Sequence, residues 1–283
     1  MTPVRIDAHS HGVHAERDAQ GRFVPPLMAA WNKSKGAPED LVAQLRAEGI
    51  ESILLLDPAP ICFEMQKMFG DFIIPIPLVD MDRATPDDID RLLSHGGRGI
   101  KFIGPQHSYG DSRYFPLYAV LRDRKAPAIF HTGYLVNGGL YDVGGLMGVP
   151  DYLDITHMRP AAIDRVARAF PGLKILMAHF GNPWWEETWT VIKSHKDVYA
   201  DFSGGTAITK SMAMWKEMFA PNGVMHAGSV SKLCFACDGS PFFGGDNYGA
   251  ITRFYDRFYD TVGVPEELRR RIDRENILNI LGR

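Results

Sequence analysis

Arg5-Ile6-Asp7-Ala8-His9-Ser10-His11 is the stretch around which the rest of the chain is organised. Apolar Val4 and Ile6 followed by alternation predict a short strand. Side chains two apart on a strand share a face, so the spacing places Asp7, His9 and His11 on one side. Two imidazoles so spaced can hold one ion through ring nitrogens about 2.0–2.1 Å from it. The competing reading is two ordinary histidines beside a turn at Gly12, and the stretch alone does not separate the two.

Outward from this stretch runs a repeating rhythm of short apolar run, polar loop and helix-period segment. Strands are predicted at Val4–His9, Ser52–Leu56, Ile73–Leu78, Gly99–Ile103, Ala128–His131, Lys174–His179, Val198–Phe202 and Lys232–Cys237. Helices are predicted near Pro38–Glu48, Phe63–Phe69, Pro86–Ser94, Phe115–Lys125, Pro160–Phe170, Glu186–His195, Lys210–Phe219 and Ala250–Val262. Pro38, Pro86 and Pro160 sit near helix starts, where a missing N–H costs little. Ile53-Leu54-Leu55-Leu56 and Ile175-Leu176-Met177-Ala178 are apolar without alternation, as parallel strands covered on both faces require. Eight strand-then-helix units without a linker predict an α/β chain folded as one (β/α)8 barrel domain over residues 1–283, closed by a helical extension at Pro265–Arg283. A doubly wound open sheet is the rival topology.

The composition narrows the function classes. With 283 residues, 45% of them hydrophobic, the chain can bury a large core. A net charge of −3 with no Lys/Arg run argues against a nucleic-acid partner. No apolar stretch approaches bilayer length and no signal peptide is visible, so the expectation is a cytoplasmic protein without a membrane partner. Three cysteines, Cys62, Cys234 and Cys237, are too few for a disulfide framework. Cys234 and Cys237 match a redox dithiol only in spelling, because a strand turns them to opposite faces.

Barrel active sites form at strand C-terminal ends and in the loops that follow. Strand one ends in His9 and His11, strand five in His131-Thr132-Gly133, strand six in His179-Phe180-Gly181 and strand eight in Cys237-Asp238-Gly239. Strand four carries Lys101 within an apolar run. Three or more imidazoles and a carboxylate would therefore converge on one mouth. The Gly-rich stretch Tyr134–Met158 is the longest loop and reads as a lid, binding loop or interface arm.

At this point the chain resembles the amidohydrolase superfamily, in its amidohydrolase-related branch. The resemblance is carried by Ile6-Asp7-Ala8-His9-Ser10-His11, Gly99-Ile100-Lys101-Phe102, Phe130-His131-Thr132-Gly133 and the run Phe170–Gly181. Trp184-Trp185-Glu186-Glu187, Val198–Gly204 and Asn279-Ile280-Leu281-Gly282 also resemble that branch. It implies that His9, His11, His131 and Asp238 hold a divalent metal. It also implies that His179 is the catalytic imidazole of a one-metal site, or a ligand of a second metal. An imidazole and carboxylate set with an open position suits zinc, with manganese or iron as alternatives, and one ion is favoured over two. Asp238 would take a proton from water while touching the ion, and His179 would assist an oxyanion or leaving group.

Lys101 has three readings: a carboxylated bridge between two metals, an anchor for an anionic substrate group, or a structural pair. Arg159, Tyr134, His107 and Trp184 are the other candidate substrate contacts, with Gln106, Tyr109, Trp31, Trp185, Phe242 and Phe243 as further candidates for the mouth. Asp7 reads as an orienting residue. The expected reaction is metal-dependent hydrolysis of an ester, lactone or amide in a small carboxylated or aromatic substrate. The alternative is non-oxidative decarboxylation of an aromatic or muconate-type acid, against which Thr132-Gly133 is the sequence feature that favours hydrolysis. A homo-oligomer, with the Tyr134–Met158 loop as its arm, is compatible with such a barrel.

Overall fold

The computed structural model describes residues 3–12, 16–17, 23–24, 38–134, 154–239 and 247–283. Trp31, Phe242, Phe243 and positions 135–153 of the long loop lie outside them. The strands are β1 (Arg5–Ser10), β2 (Glu16–Arg17), β3 (Phe23–Val24), β4 (Ile50–Leu55), β5 (Ile73–Pro75), β6 (Leu78–Val79), β7 (Ile100–Phe102), β8 (Ala128–His131), β9 (Ile175–Ala178), β10 (Val198–Asp201) and β11 (Leu233–Cys234). β2 and β3 form a small antiparallel hairpin; every other pairing is parallel.

The parallel strands make two arcs, β1-β4-β5 and β6-β7-β8-β9-β10-β11. Backbone hydrogen bonds join the arcs at both seams. At one seam, Ile76 and Leu78 donate to Leu55 and Asp57, while Pro75 and Pro77 accept from Arg98 and Lys101. β5 and β6 are thus one barrel strand, as the sequence predicts. They separate as elements because Pro75 and Pro77 supply no N–H to the β7 side. At the other seam, Ala8 N donates to Phe235 O, Asp238 N to His9 O and His11 N to Gly239 O. The result is a (β/α)8 barrel, not an open sheet.

Alternate residues of the apolar strands face opposite ways. Ile6, Ala8, Leu54, Leu56, Ile74, Ile76, Ile129, Leu176, Tyr199, Cys234 and Ala236 fill the interior, together with Ile277, Ile280 and Leu281 of the C-terminal helical segment. Their neighbours in sequence, such as Ile53, Phe102, Phe130 and Met177, pack against the outer helices. β7 has no apolar residue in the interior set; its inward position between Ile100 and Phe102 is Lys101.

Helices lie at Pro38–Ala47, Ala59–Phe69, Pro86–Ser94, Phe115–Asp123, Ala161–Ala169, Trp185–Ser194, Met212–Phe219 and Asn247–Val262, matching the expected order. Phe202, just after β10, packs against rings of two outer helices (Trp215, Phe219, Phe254, Phe258), mostly edge-on. Burying such rings contributes about 0.5–1.5 kcal/mol per pair beyond area alone. Among the described residues no helix is long and apolar enough to cross a membrane.

Candidate metal centre

β1 departs from the sequence expectation in one respect. Its pairing with β4 shifts register between Asp7 and Ser10, and such an irregularity breaks the two-residue alternation. Asp7, His9 and His11 consequently do not share a face. Asp7 turns toward the helix Asn247–Val262, where Oδ2 accepts from Tyr248 Oη (2.9 Å) and Ser10 Oγ (2.5 Å). Its Oδ1 accepts from the backbone of His9 (3.0 Å) and Cys237 (2.9 Å). Burial raises this carboxyl to about 6 despite the four donors. Asp7 is fully used in tying β1 to the segment after β11, the orienting role expected for it.

His9 and His11 turn instead toward Asp238. Asp238 Oδ1 lies 3.3 Å from His9 Nε2 and 3.3 Å from His11 Nε2, and its Oδ2 lies 3.7 Å from His179 Nδ1. His131 reaches the group through His179, with Nδ1 and Nε2 3.0 Å apart and ring centroids 4.5 Å apart. The ligand atoms of His9, His11 and Asp238 lie within 4.8 Å of one another, as do those of His9, His179 and Asp201. His131 belongs to neither of these two groups. His179 and Asp238 both adopt positive φ, 63° and 62°, a cost that non-glycine residues bear mainly at functional sites.

The proton balance is uneven. Burial first, then the charge of Lys101, holds His9 well below the ordinary histidine value. His131 is lowered the same way by burial and by His179. Burial also acts against a charge on His11, but the carboxylates of Asp238 and Asp57 beside it raise it to about 9. Burial opposes ionisation of Asp238, yet His179 and His11 keep its carboxyl below the usual range.

Whether these residues suit a cation is answered by their unpaired atoms. His9 Nδ1 lies 3.1 Å from Ser203 Oγ, His11 Nδ1 3.2 Å from Asp57 Oδ1, and His131 Nδ1 contacts His179. The Nε2 atoms of all three are buried without a hydrogen-bond partner. A buried polar atom without a partner costs about 1–3 kcal/mol. Metal-binding imidazoles have this same arrangement, with one nitrogen anchored and the other bare. A Cβ on Gly204 (φ 81°) would come within 3.0 Å of Asp238 Oδ2 and 3.2 Å of His179 Nδ1, so only glycine leaves this cradle open. The donor set fits a divalent cation.

Lys101 Nζ is also buried without a partner, and burial lowers the amine to about 8. The other nominated contacts lie differently. Arg159 pairs with Glu187 and stacks over Trp184 at 5.3 Å, its side chain 45% exposed. Tyr134 is exposed, and its N–H donates to Asn182 O. His107 stacks on His157 at 6.2 Å. Tyr109 is buried and donates to His131 O at 2.9 Å, which makes it a support for β8. Trp185 packs against Trp215. Cys62, Cys234 and Cys237 are free and buried.

Four residues in contact with the centre were not singled out by the sequence. Asp57 anchors His11, and Asp201 Oδ1 accepts from the backbone of His179 (3.0 Å) and Ser203 (2.8 Å). Ser203 touches two imidazoles, and Gly204 leaves room for them. Asp57 and Asp201 sit at strand ends two and seven, the signal that could have found them.

Solved structures share the barrel. The fold is shared by an uncharacterised TIM-barrel protein of Bordetella bronchiseptica (19% identity, TM-score 0.66, 99% of each chain). It is shared by a probable 2-pyrone-4,6-dicarboxylic acid hydrolase of Acinetobacter baumannii with citric acid bound (12%, 0.61, 100% of each chain). It is shared too by a dihydroxybenzoic acid decarboxylase of Polaromonas with bound manganese and 2-nitroresorcinol (14%, 0.59, 99% of this chain and 97% of that one). No curated protein matches the chain in sequence. The amidohydrolase family profile matches residues 6–283. With that span matched, the chain belongs to the amidohydrolase family of enzymes.

Proposed function

We propose that the protein is a metal-dependent hydrolase that cleaves an ester, lactone or amide bond in a small carboxylated or aromatic substrate. The observation that carries this reading is the set of three imidazoles with anchored Nδ1 and buried Nε2 lacking a hydrogen-bond partner, two of which, His9 and His11, face Asp238. His9, His11, His131 and Asp238 would hold the ion; imidazole and carboxylate donors suit zinc, with manganese or iron as alternatives. Both nitrogens of His179 already have neighbours, Nε2 at His131 and Nδ1 at Ser203, which favours one ion over two. A divalent ion in such a site supplies Lewis acidity, polarising a carbonyl and lowering the pKa of a water.

The chain's own groups supply the rest. Ionised Asp238 accepts the proton of the attacking water. Asp238 then returns that proton to the leaving group, and His179, whose Nδ1 lies 3.7 Å from the Asp238 carboxylate, steadies the developing oxyanion. Lys101 offers a buried ammonium to a substrate carboxylate, in a setting where a charge-assisted hydrogen bond is strong. Arg159, Trp184, Tyr134 and His107 would contact the substrate from the loops above.

Decarboxylation of an aromatic acid is the second reading, and one observation removes the sequence argument against it. The pair that favoured hydrolysis, Thr132-Gly133, is used in packing. Thr132 Oγ1 donates to Ala178 O at 2.6 Å, and Gly133 (φ 100°) lies against the Asn182 backbone. The test is product analysis of metal-loaded protein on lactones, esters, amides and aromatic acids, with Asp238→Asn alongside. Hydrolysis products lost in the variant are expected. Carbon dioxide without hydrolysis selects the second reading, and undiminished turnover by Asp238→Asn refutes both.

A further inference from the structure

We propose that Ser203 is a positioning residue that presets which nitrogen carries the proton on His9, His131 and His179, so that the bare Nε2 atoms of His9 and His131 are ready before any cation arrives. This deepens the metal reading above and rests on it. The argument is one of donors and acceptors. A backbone carbonyl can only accept, and Ser203 O lies 3.1 Å from His179 Nδ1. A neutral His179 in that contact carries its proton on Nδ1. Its Nε2 is then a bare acceptor 3.0 Å from His131 Nδ1, so His131 must hold its own proton on Nδ1 and leave Nε2 bare. One carbonyl thereby sets two rings.

The hydroxyl of the same residue sets the third. Ser203 Oγ lies 3.1 Å from both His179 Nδ1 and His9 Nδ1. With a proton on His179 Nδ1, the hydroxyl has nothing to donate to there. Its own proton goes to the Asp201 carboxylate, with which the Ser203 side chain hydrogen-bonds, so toward His9 the oxygen accepts from Nδ1–H, which bares His9 Nε2. Asp201 Oδ2, the other acceptor near His9 Nδ1, is 3.9 Å away and beyond hydrogen-bond reach. Asp201 acts one step back, its Oδ1 accepting the backbone N–H of Ser203 at 2.8 Å and that of His179 at 3.0 Å. The side chain of Ser203 is buried, so water does not compete for these contacts. His11 needs no such help, because Asp57 can only accept from its Nδ1.

The test is 15N–1H correlation of the histidine side chains in the metal-free full chain at neutral pH, with zinc affinity measured by competition against a chromophoric chelator. Wild-type protein is expected to show the Nδ1–H form at His9, His131 and His179. Ser203→Ala should move His9 alone toward the Nε2–H form, leaving His131 and His179 unchanged because the carbonyl remains. Zinc affinity should fall about tenfold, as loss of a partner behind a metal-binding histidine does, and Ser203→Thr should restore both readouts. A wild-type His9 in the Nε2–H form, or a His9 pattern unmoved in Ser203→Ala, overturns the proposal without needing any variant to be active. Failure of the metal reading looks different: wild-type protein then binds no divalent ion at all.

Discussion

Loading the centre with a divalent ion should release protons, and their number follows from the structure. His9 and His131 are held well below the ordinary histidine value by burial, so both are neutral at pH 7. His11 is raised to about 9 by the two carboxylates beside it and is a cation at that pH. A metal requires the unprotonated ring. Stripping a proton from a group of pKa about 9 at pH 7 costs about 2.7 kcal/mol, or a factor of about 100 in affinity. The sign is fixed: affinity rises about tenfold per pH unit from 7 and levels off above about 9. Calorimetric titration of metal-free protein in buffers of different ionisation enthalpy counts the released protons directly. Lys101, lowered to about 8, is also charged at pH 7 and near the site; repeating the titration with Lys101→Met isolates the share of His11. One proton released at pH 7 in that variant is the expected result. An affinity independent of pH between 7 and 9, with no proton released, would refute the assignment.

Lys101→Met should also stabilise the metal-free protein, because a buried ammonium without a partner is replaced by an apolar chain. The folded-state value of about 8 lies below the ordinary 10.5, so the unfolded chain binds more protons between these values and wild-type stability rises with pH there. Urea unfolding should show the variant's advantage shrinking by about 3 kcal/mol from pH 7 to pH 10.5, and a constant gap would contradict the burial argument. Gly133→Ala should lower stability by about 2–5 kcal/mol. Gly133 has φ of 100°, and a Cβ there would sit 2.3 Å from Asn182 O and 2.7 Å from Asn182 N, backbone atoms with no rotamer to escape into; an unchanged urea midpoint would show that the loop yields. Arg159→Ala should change stability by less than about 0.5 kcal/mol, since its ion pair with Glu187 is exposed. A raised KM for carboxylated substrates over neutral ones is the outcome expected of a substrate contact, and an unchanged KM removes it from that role.

Most of the barrel could be read because parallel strands buried on both faces leave unbroken apolar runs such as Ile175-Leu176-Met177-Ala178. Boundaries slipped where proline misleads. The helix expected from Phe63 begins at Ala59, since Pro60 occupies a first-turn position that needs no N–H. The shared face of Asp7, His9 and His11 was misread for a different reason. A shift of strand register depends on what the neighbouring strand does and leaves no residue type behind in the sequence. His179 and Asp238 are legible as strand-end residues, whereas Ser203 carries no local signal of its role. Its importance comes from two imidazoles contributed by strands distant in sequence, and local pattern does not register that.

The register shift also explains why closure of the barrel and assembly of the centre are one event. The hydrogen bonds that close the ring between β1 and the segment after β11 are Ala8 N to Phe235 O, Asp238 N to His9 O and His11 N to Gly239 O. They involve His9, His11 and Asp238 themselves, so the distance between the Asp238 carboxylate and the two imidazoles is fixed by main-chain pairing. Asp7 locks the same seam by accepting from the backbone of both His9 and Cys237. Without the irregularity, strict alternation would have put His9 on the same side as Asp7, against the outer helix. The irregularity frees Asp7 to secure the seam while His9 enters the mouth. A chain that closes this barrel correctly has therefore already placed three of the four proposed cation donors, and β8 need only bring His131 up to them.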